Sequence, residues 1–221
     1  MEIAPGKIVD VVDGGLVVFV PYGDMEKIIK RQYNEVQVGL PDGRRISPEQ
    51  RRKAYALMRE IGEFYGYEQS EIKDVMKHDF VANHLKQLQR ELFSLSDCDV
   101  TTAKEFISYL IDFILRNDIP TRVPLASLAD DVDRYMYSCL MRRKCCICGQ
   151  RADIHHWTRI GMGANRKTVI HEGMTLEPLC RVHHTECHTM AQEEFDERYH
   201  IKPIKATKEI CKTLGLKCEP D

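Results

Sequence analysis

At 221 residues, with 43% hydrophobic and 30% charged side chains and a formal net charge of −2, the chain has the composition of an ordinary folded soluble protein, with room for one large domain or two small ones. It contains no run of roughly eighteen apolar residues that would read as a membrane span, and Met1–Lys7 lacks the basic and apolar regions of a secretory signal. Five of the nine cysteines lie between 145 and 187 among histidines at ligand spacing, a pattern of thiolates on metal in a reducing compartment, so the expected location is the cytoplasm.

In chain order, the first elements read as strands. Lys7–Val12 and Leu16–Tyr22 are apolar-rich around Asp13-Gly14-Gly15, strong hairpin punctuation, and Glu35–Leu40 before Pro41-Asp-Gly-Arg44 reads as a third strand and turn. Ser47, Pro48 and Gln50 then form an S-x-x-Q capping box, which predicts a helix to about Tyr65 with Tyr55, Met58, Ile61 and Phe64 on its apolar stripe. A second helix is expected over Ser70–Leu88, carrying Ile72, Val75, Met76, Phe80 and Leu85. A third opens at Thr102-Ala-Lys-Glu105, read as another capping box, and runs to about Arg116 before Asn117-Asp-Ile-Pro120 ends it. Asp130–Met141 is expected to be helical and leads directly into the cysteines.

Residues 141–190 concentrate the chemistry. They hold eight Lys/Arg against four Asp/Glu, whereas residues 1–140 hold 18 against 23, so a basic segment sits where phosphate would dock. Cys145 and Cys148 form a C-x-x-C knuckle, and Cys180 and His183 a C-x-x-H pair separated from it by 31 residues. Two such pairs suit one tetrahedral structural Zn²⁺, holding together a module too small for its own core. By itself that site is closed, and a zinc ribbon that only docks on a partner needs nothing more.

The remaining histidines go beyond a ribbon. His184 and His188 stand at i, i+4 and share a face if Arg181–Met190 is helical. His155 and His156 are consecutive in an expected short strand, so one can ligate a metal while the other addresses a substrate from the opposite side.

With Cys145-Cys-Ile-Cys148, His155-His156, Thr175-Leu-Glu-Pro-Leu-Cys180-Arg-Val-His183-His184 and His188, the chain resembles the HNH endonucleases and their ββα-metal fold. Their pattern runs C-x-x-C, a [DEH]-H pair, an Asn, then L-C-x-x-[CH]-H. The resemblance implies His156 as the general base, and His155 and His184, with His188 as a further ligand, around a catalytic divalent ion such as Mg²⁺ or Mn²⁺. One position departs from the pattern: Thr175 stands where the family has its Asn, with Asn165 and His171 as substitutes from the intervening loop. Arg159, Arg166 and Lys167 are the candidates for DNA phosphate contacts. Trp157 is expected to pack the small module, and Cys187, His200, Cys211 and Cys218 are given no role.

The helix starts at Ser47-Pro-Glu-Gln-Arg-Arg-Lys and Thr102-Ala-Lys-Glu-Phe are similar to those of the NinB/Orf recombination proteins of lambdoid phages. That similarity implies a single-stranded DNA-binding domain, commonly dimeric, that assists recombination alongside a single-strand-binding protein or a recombinase. The chain as a whole resembles phage HNH nucleases in which such a domain precedes the metal module. The expected architecture is therefore α+β: an N-terminal α+β DNA-binding domain over residues 1–125, then an HNH module with a helical tail over residues 126–221. The expected activity is divalent-metal-dependent hydrolysis of single-stranded or branched DNA. The competing reading is a non-catalytic DNA-binding mediator whose metal module is structural.

Overall fold

The computed structural model describes residues 6–21, 23, 26–27, 30, 43–84, 92–157 and 169–219. The third expected strand, the end of the second helix at 85–88, Asn165 and the expected phosphate contacts Arg159, Arg166 and Lys167 lie outside the described residues.

The fold is α+β, with seven helices and two small antiparallel sheets among the described residues. Strands β1 (Lys7–Val12) and β2 (Gly15–Phe19) form the expected hairpin, pairing Val12 with Gly15. Gly14 closes the two-residue turn at φ 78°, a left-handed conformation that a side chain disfavours.

Helix α1 (Pro48–Tyr65) begins as expected: Ser47 Oγ accepts from the Gln50 amide at 3.0 Å, and Gln50 Oε1 accepts from the Ser47 amide at 3.1 Å. Its buried stripe is Ala54, Leu57, Met58 and Ile61 rather than one reaching Phe64, which is half exposed at the helix end. Helix α2 (Gln69–His84) buries Ile72, Met76 and Phe80 and leaves Val75 outside.

Helix α3 (Val100–Arg116) is the centre of the molecule, with Phe106, Ile107, Leu110 and Ile114 sealed from solvent. It starts one residue after Asp99, not at Thr102: Asp99 Oδ1 accepts from the Thr102 amide and Oδ2 from the Thr102 hydroxyl. A carboxylate cap outcompeted the S/T-x-x-E pattern because it satisfies the same orphan amide and adds favourable charge at the helix N-terminus. Phe80 and Phe93 meet Phe106 edge-on, at 5.3 and 5.1 Å between ring centroids.

A short 3₁₀ turn (Leu125–Leu128) leads to α4 (Val132–Met141), capped by Asp131. Helix α4 joins the two halves of the chain. It packs on α3 on one side, and Tyr135 donates its hydroxyl proton to the Cys146 carbonyl, 2.7 Å away, on the other. The apolar core accordingly continues from the helices through Cys146, Leu179 and Phe195 to Ile201. No described helix is long and apolar enough to cross a membrane.

The C-terminal half is built on a three-stranded sheet, β3 (Asp153–His156), β4 (Thr175–Leu179) and β5 (Ile204–Lys205), with β4 central. Helix α5 (Arg181–Cys187) follows β4 and lies against β3 and β4. Helices α6 (Gln192–Tyr199) and α7 (Lys208–Leu214) complete the module. Helix α5 stops at Cys187, shorter than expected, but His188 keeps αR geometry at its cap, so the i, i+4 spacing to His184 survives.

Candidate metal centres

The first centre grows from a tight knuckle. The Gly149 amide donates to the Cys145 carbonyl at 2.8 Å, and Gly149 takes φ 71° to let the chain reverse. Cys180 is the N-cap of α5, so His183 follows one turn later. The donor atoms of Cys145, Cys148, Cys180 and His183 all lie within 4.8 Å of one another.

Cys148 Sγ and Cys180 Sγ are 3.7 Å apart, and His183 Nδ1 is 3.5 Å from Cys145 Sγ and 3.2 Å from Cys180 Sγ. A tetrahedron with ~2.3 Å metal–sulfur and ~2.0 Å metal–nitrogen bonds has edges of about 3.8 and 3.5 Å. The four side chains therefore fit zinc in both donor type and spacing.

Partial desolvation, then the neighbouring Cys145 and Cys180 thiols, push the Cys148 thiol up to about 12 although its side chain reaches the surface. At Cys180 burial acts the same way, but the amides of His183 and Val182 at the helix start and the neighbouring thiols outweigh it and lower the pKa. A cation at the centre removes the repulsion that keeps adjacent thiols protonated. Cys146, between the metal-facing Cys145 and Cys148 in sequence, points into the core and is fully buried.

The second centre lies between the β3–β4 hairpin and α5. The rings of His155, His184 and His188 form a triangle with centroid separations of 4.7, 5.1 and 5.0 Å, and their donor nitrogens converge within 4.8 Å. His155 is buried, His184 half-buried and His188 exposed, so the triangle opens to solvent on one side. Burial, then the charges of His184 and His188, hold His155 down at about 4, leaving its imidazole neutral and able to ligate a metal at physiological pH.

Strand alternation separates the consecutive histidines as expected. His155 pairs with Glu177 across the hairpin and faces α5, whereas His156 pairs with Leu176 and meets His171 at 5.1 Å between centroids. The backbone of His171, buried just ahead of β4, is anchored by its N–H donating to the Lys217 carbonyl at 2.8 Å. Thr175 opens β4, pairs with Lys205 and accepts from the Trp157 amide through its carbonyl.

Sequence reasoning missed what lies behind His155. Glu177 is completely buried, with Oε1 3.6 Å from His155 Nε2, 3.9 Å from Cys187 Sγ and 2.6 Å from Gln192 Nε2, which donates to it. Asp196 faces it and accepts from the Trp157 indole at 2.9 Å. Burial, then the Asp196 carboxyl, raises Glu177 to about 8, and burial raises Asp196 as well. The available signal was an acidic residue inside the otherwise apolar run Leu176-Glu-Pro-Leu179. His155, Glu177 and Cys187 are themselves close enough to hold an ion, but all three are shut off from solvent.

Most described cations of the basic segment serve the fold. Arg142 pairs with Asp112, Lys144 with Asp118 and Arg181 with Asp153, and Arg143 donates to the Leu214 carbonyl. In the N-terminal half, Lys53 pairs with Asp130 and Arg51 donates to the Ser96 carbonyl.

Over residues 23–217 the chain matches the family described as "Putative HNHc nuclease". Comparisons with curated proteins and with solved structures returned no match.

Proposed function

The chain belongs to the HNHc nuclease family, and from that premise we propose that it is a divalent-metal-dependent endonuclease that hydrolyses DNA phosphodiester bonds. The observation that carries this reading is the pairing of an open three-histidine centre with a closed Cys₃His centre, with His156 one residue from the open centre and turned the other way.

Cys145, Cys148, Cys180 and His183 hold a structural Zn²⁺, which fixes the knuckle to the start of α5 and so sets the α5 histidines against β3. His155, His184 and His188 hold the catalytic ion. When bound there, a divalent cation supplies Lewis acidity to the scissile phosphate and compensates the charge on the departing 3′-oxygen. An all-imidazole donor set suits Mn²⁺ and the later first-row ions better than Mg²⁺, which prefers oxygen ligands.

His156 takes the proton of the attacking water at an imidazole nitrogen as the new P–O bond forms and the P–O3′ bond breaks, leaving a 5′-phosphate. His171 stands beside it in place of the Asn that Thr175 replaces. Arg159, Arg166 and Lys167, which fall between β3 and β4 in the sequence, supply phosphate contacts.

The substrate we assign is single-stranded or branched DNA in a recombination setting, engaged by the N-terminal α+β part, which pairs with a second copy and works beside a single-strand-binding protein or recombinase. The sequence motifs Ser47-Pro-Glu-Gln-Arg-Arg-Lys and Thr102-Ala-Lys-Glu-Phe, with their similarity to the NinB/Orf proteins, support this half of the reading.

The test is cleavage of labelled single-stranded, duplex, flap and four-way-junction DNA with Mg²⁺, Mn²⁺ or EDTA, comparing wild type with His156→Ala. Metal-dependent cutting that the substitution abolishes is the expected result. DNA binding without cutting under any ion would instead leave a non-catalytic mediator, the reading that Thr175 favours.

A further inference from the structure

Glu177 has no task in the hydrolytic reading, yet its placement is costly. A fully buried carboxyl loses the hydration that an exposed one keeps, and an apolar side chain in the middle of β4 would serve the core better. Its Oε1 atom is nevertheless surrounded by donors. Gln192 binds it at 2.6 Å, and His155 Nε2, directly across the β3–β4 pair, lies 3.6 Å away.

We propose that Glu177 is the positioning residue of the open centre: its Oε1 accepts the Nε2 proton of His155, fixing the imidazole tautomer and leaving Nδ1 as the lone-pair nitrogen offered with His184 and His188. This rests on reading those three histidines as a metal site. The two imidazole nitrogens are not equivalent, and the hydrogen bond made by one decides which is free to ligate. At 3.6 Å the contact is longer than a formed hydrogen bond, and the Cys187 thiol stands 3.9 Å from the same nitrogen, so the Glu177 contact must shorten when the open centre is loaded.

The carboxyl is itself held in place. Asp196, anchored by the Trp157 indole, backs Glu177, so a chain of polar groups runs Trp157–Asp196–Glu177–His155. Trp157 immediately follows His156, which makes the residue next to the candidate base the far anchor of the metal ligand's support. Direct ligation by Glu177 is the alternative chemistry. It would place an ion among His155, Glu177 and Cys187, all buried, with no open position for a phosphate.

The experiment uses full-length, zinc-loaded protein and two readouts other than cleavage: the His155 tautomer from long-range ¹H–¹⁵N NMR, assigned with His155→Ala, and Co²⁺ affinity of the open centre from visible absorption. Wild type is expected to carry the proton on Nε2. Glu177→Gln, whose carbonyl still accepts, keeps that tautomer and binds Co²⁺ within about threefold of wild type. Glu177→Leu mixes the tautomers and weakens Co²⁺ about 10- to 100-fold at unchanged zinc content.

A proton on Nδ1 in wild type, or Co²⁺ affinity that Glu177→Leu leaves intact while His155→Ala destroys it, overturns this inference alone. Glu177→Gln losing as much affinity as Glu177→Leu also overturns it, in favour of direct ligation. If neither His155→Ala nor His184→Ala changes Co²⁺ binding, the metal-site reading falls and this inference falls with it.

Discussion

His156 and His171 meet at 5.1 Å between ring centroids, although one ends β3 and the other stands ahead of β4. The neighbour of the candidate base is therefore a second imidazole, positioned by its own backbone bond to Lys217. Removing a general base costs about 10²- to 10⁴-fold in rate, and His156→Ala should lose that much. His171→Ala should lose about tenfold, in the range of a side chain that orients another. If His171 acts only through His156, the double substitution will be no slower than His156→Ala alone. Single-turnover cleavage at saturating Mn²⁺ measures all three, and a double variant slower by the product of the two effects would separate the residues.

The closed centre should be a stability element with no direct part in the chemistry. Cys148→Ser removes a ligand that is exposed and outside the apolar core, so its effect reports the metal rather than packing. Zinc content should fall by one ion per chain. A structural zinc site contributes several kcal/mol, and for a chain of this size each kcal/mol moves Tm by about 2–4 °C. A drop of more than about 10 °C is expected by calorimetry. Cys211→Ser, at a buried thiol that no candidate centre uses, should leave zinc content unchanged.

That these side chains gather into two clusters was legible in the sequence because ligand spacing is a local property. C-x-x-C, C-x-x-H and an i, i+4 histidine pair specify their geometry within a knuckle or a helical turn, and β alternation alone sends His155 and His156 to opposite faces. Glu177, Gln192 and Asp196 were not legible because their meeting depends on the register of β3 against β4 and on how α6 docks, neither of which leaves a local pattern. The same divide runs through the helices. Ser47 and Gln50 form the box that their spacing announces, while at α3 the equally plausible Thr102 pattern lost to Asp99, a carboxylate placed one turn earlier. Phe64 fits the apolar period of α1 yet is half exposed, so periodicity marked a face that the tertiary structure does not cover at that end.

That difference between the two helix starts can be measured. Replacing an N-cap side chain with Ala costs about 1 kcal/mol, up to about 2 at well-formed caps. Asp99→Ala should reach the upper part of that range because Asp99 satisfies both the Thr102 amide and its hydroxyl. Ser47→Ala should cost about 1 kcal/mol. Glu105→Ala, which would matter as much as Asp99 if Thr102 were the cap, should stay within about 0.5 kcal/mol, as substitutions away from such features do. Urea unfolding at constant m-value compares the three.

The pH dependence of stability follows from the buried pair at the open centre, in zinc-loaded protein with no other divalent ion. Glu177 is raised to about 8 by burial and Asp196, so between its ordinary carboxyl range and about pH 8 the folded state binds more protons than the unfolded one, and stability falls as pH rises. His155 is depressed to about 4 by burial and the neighbouring histidines, so between about 4 and its ordinary value of 6.5 the unfolded state binds more protons, and stability falls as pH drops. The two slopes oppose each other in mildly acidic solution. Above pH 6.5 the His155 slope is gone and the slope of Glu177, with its partner Asp196 also raised, remains, so Tm should decline from pH 6.5 to about pH 8. Glu177→Gln has no proton to lose and should flatten that decline, whereas His155→Ala should leave it in place and remove the acid-side slope. A Glu177→Gln profile as steep as wild type above pH 6.5 would assign the decline to other groups.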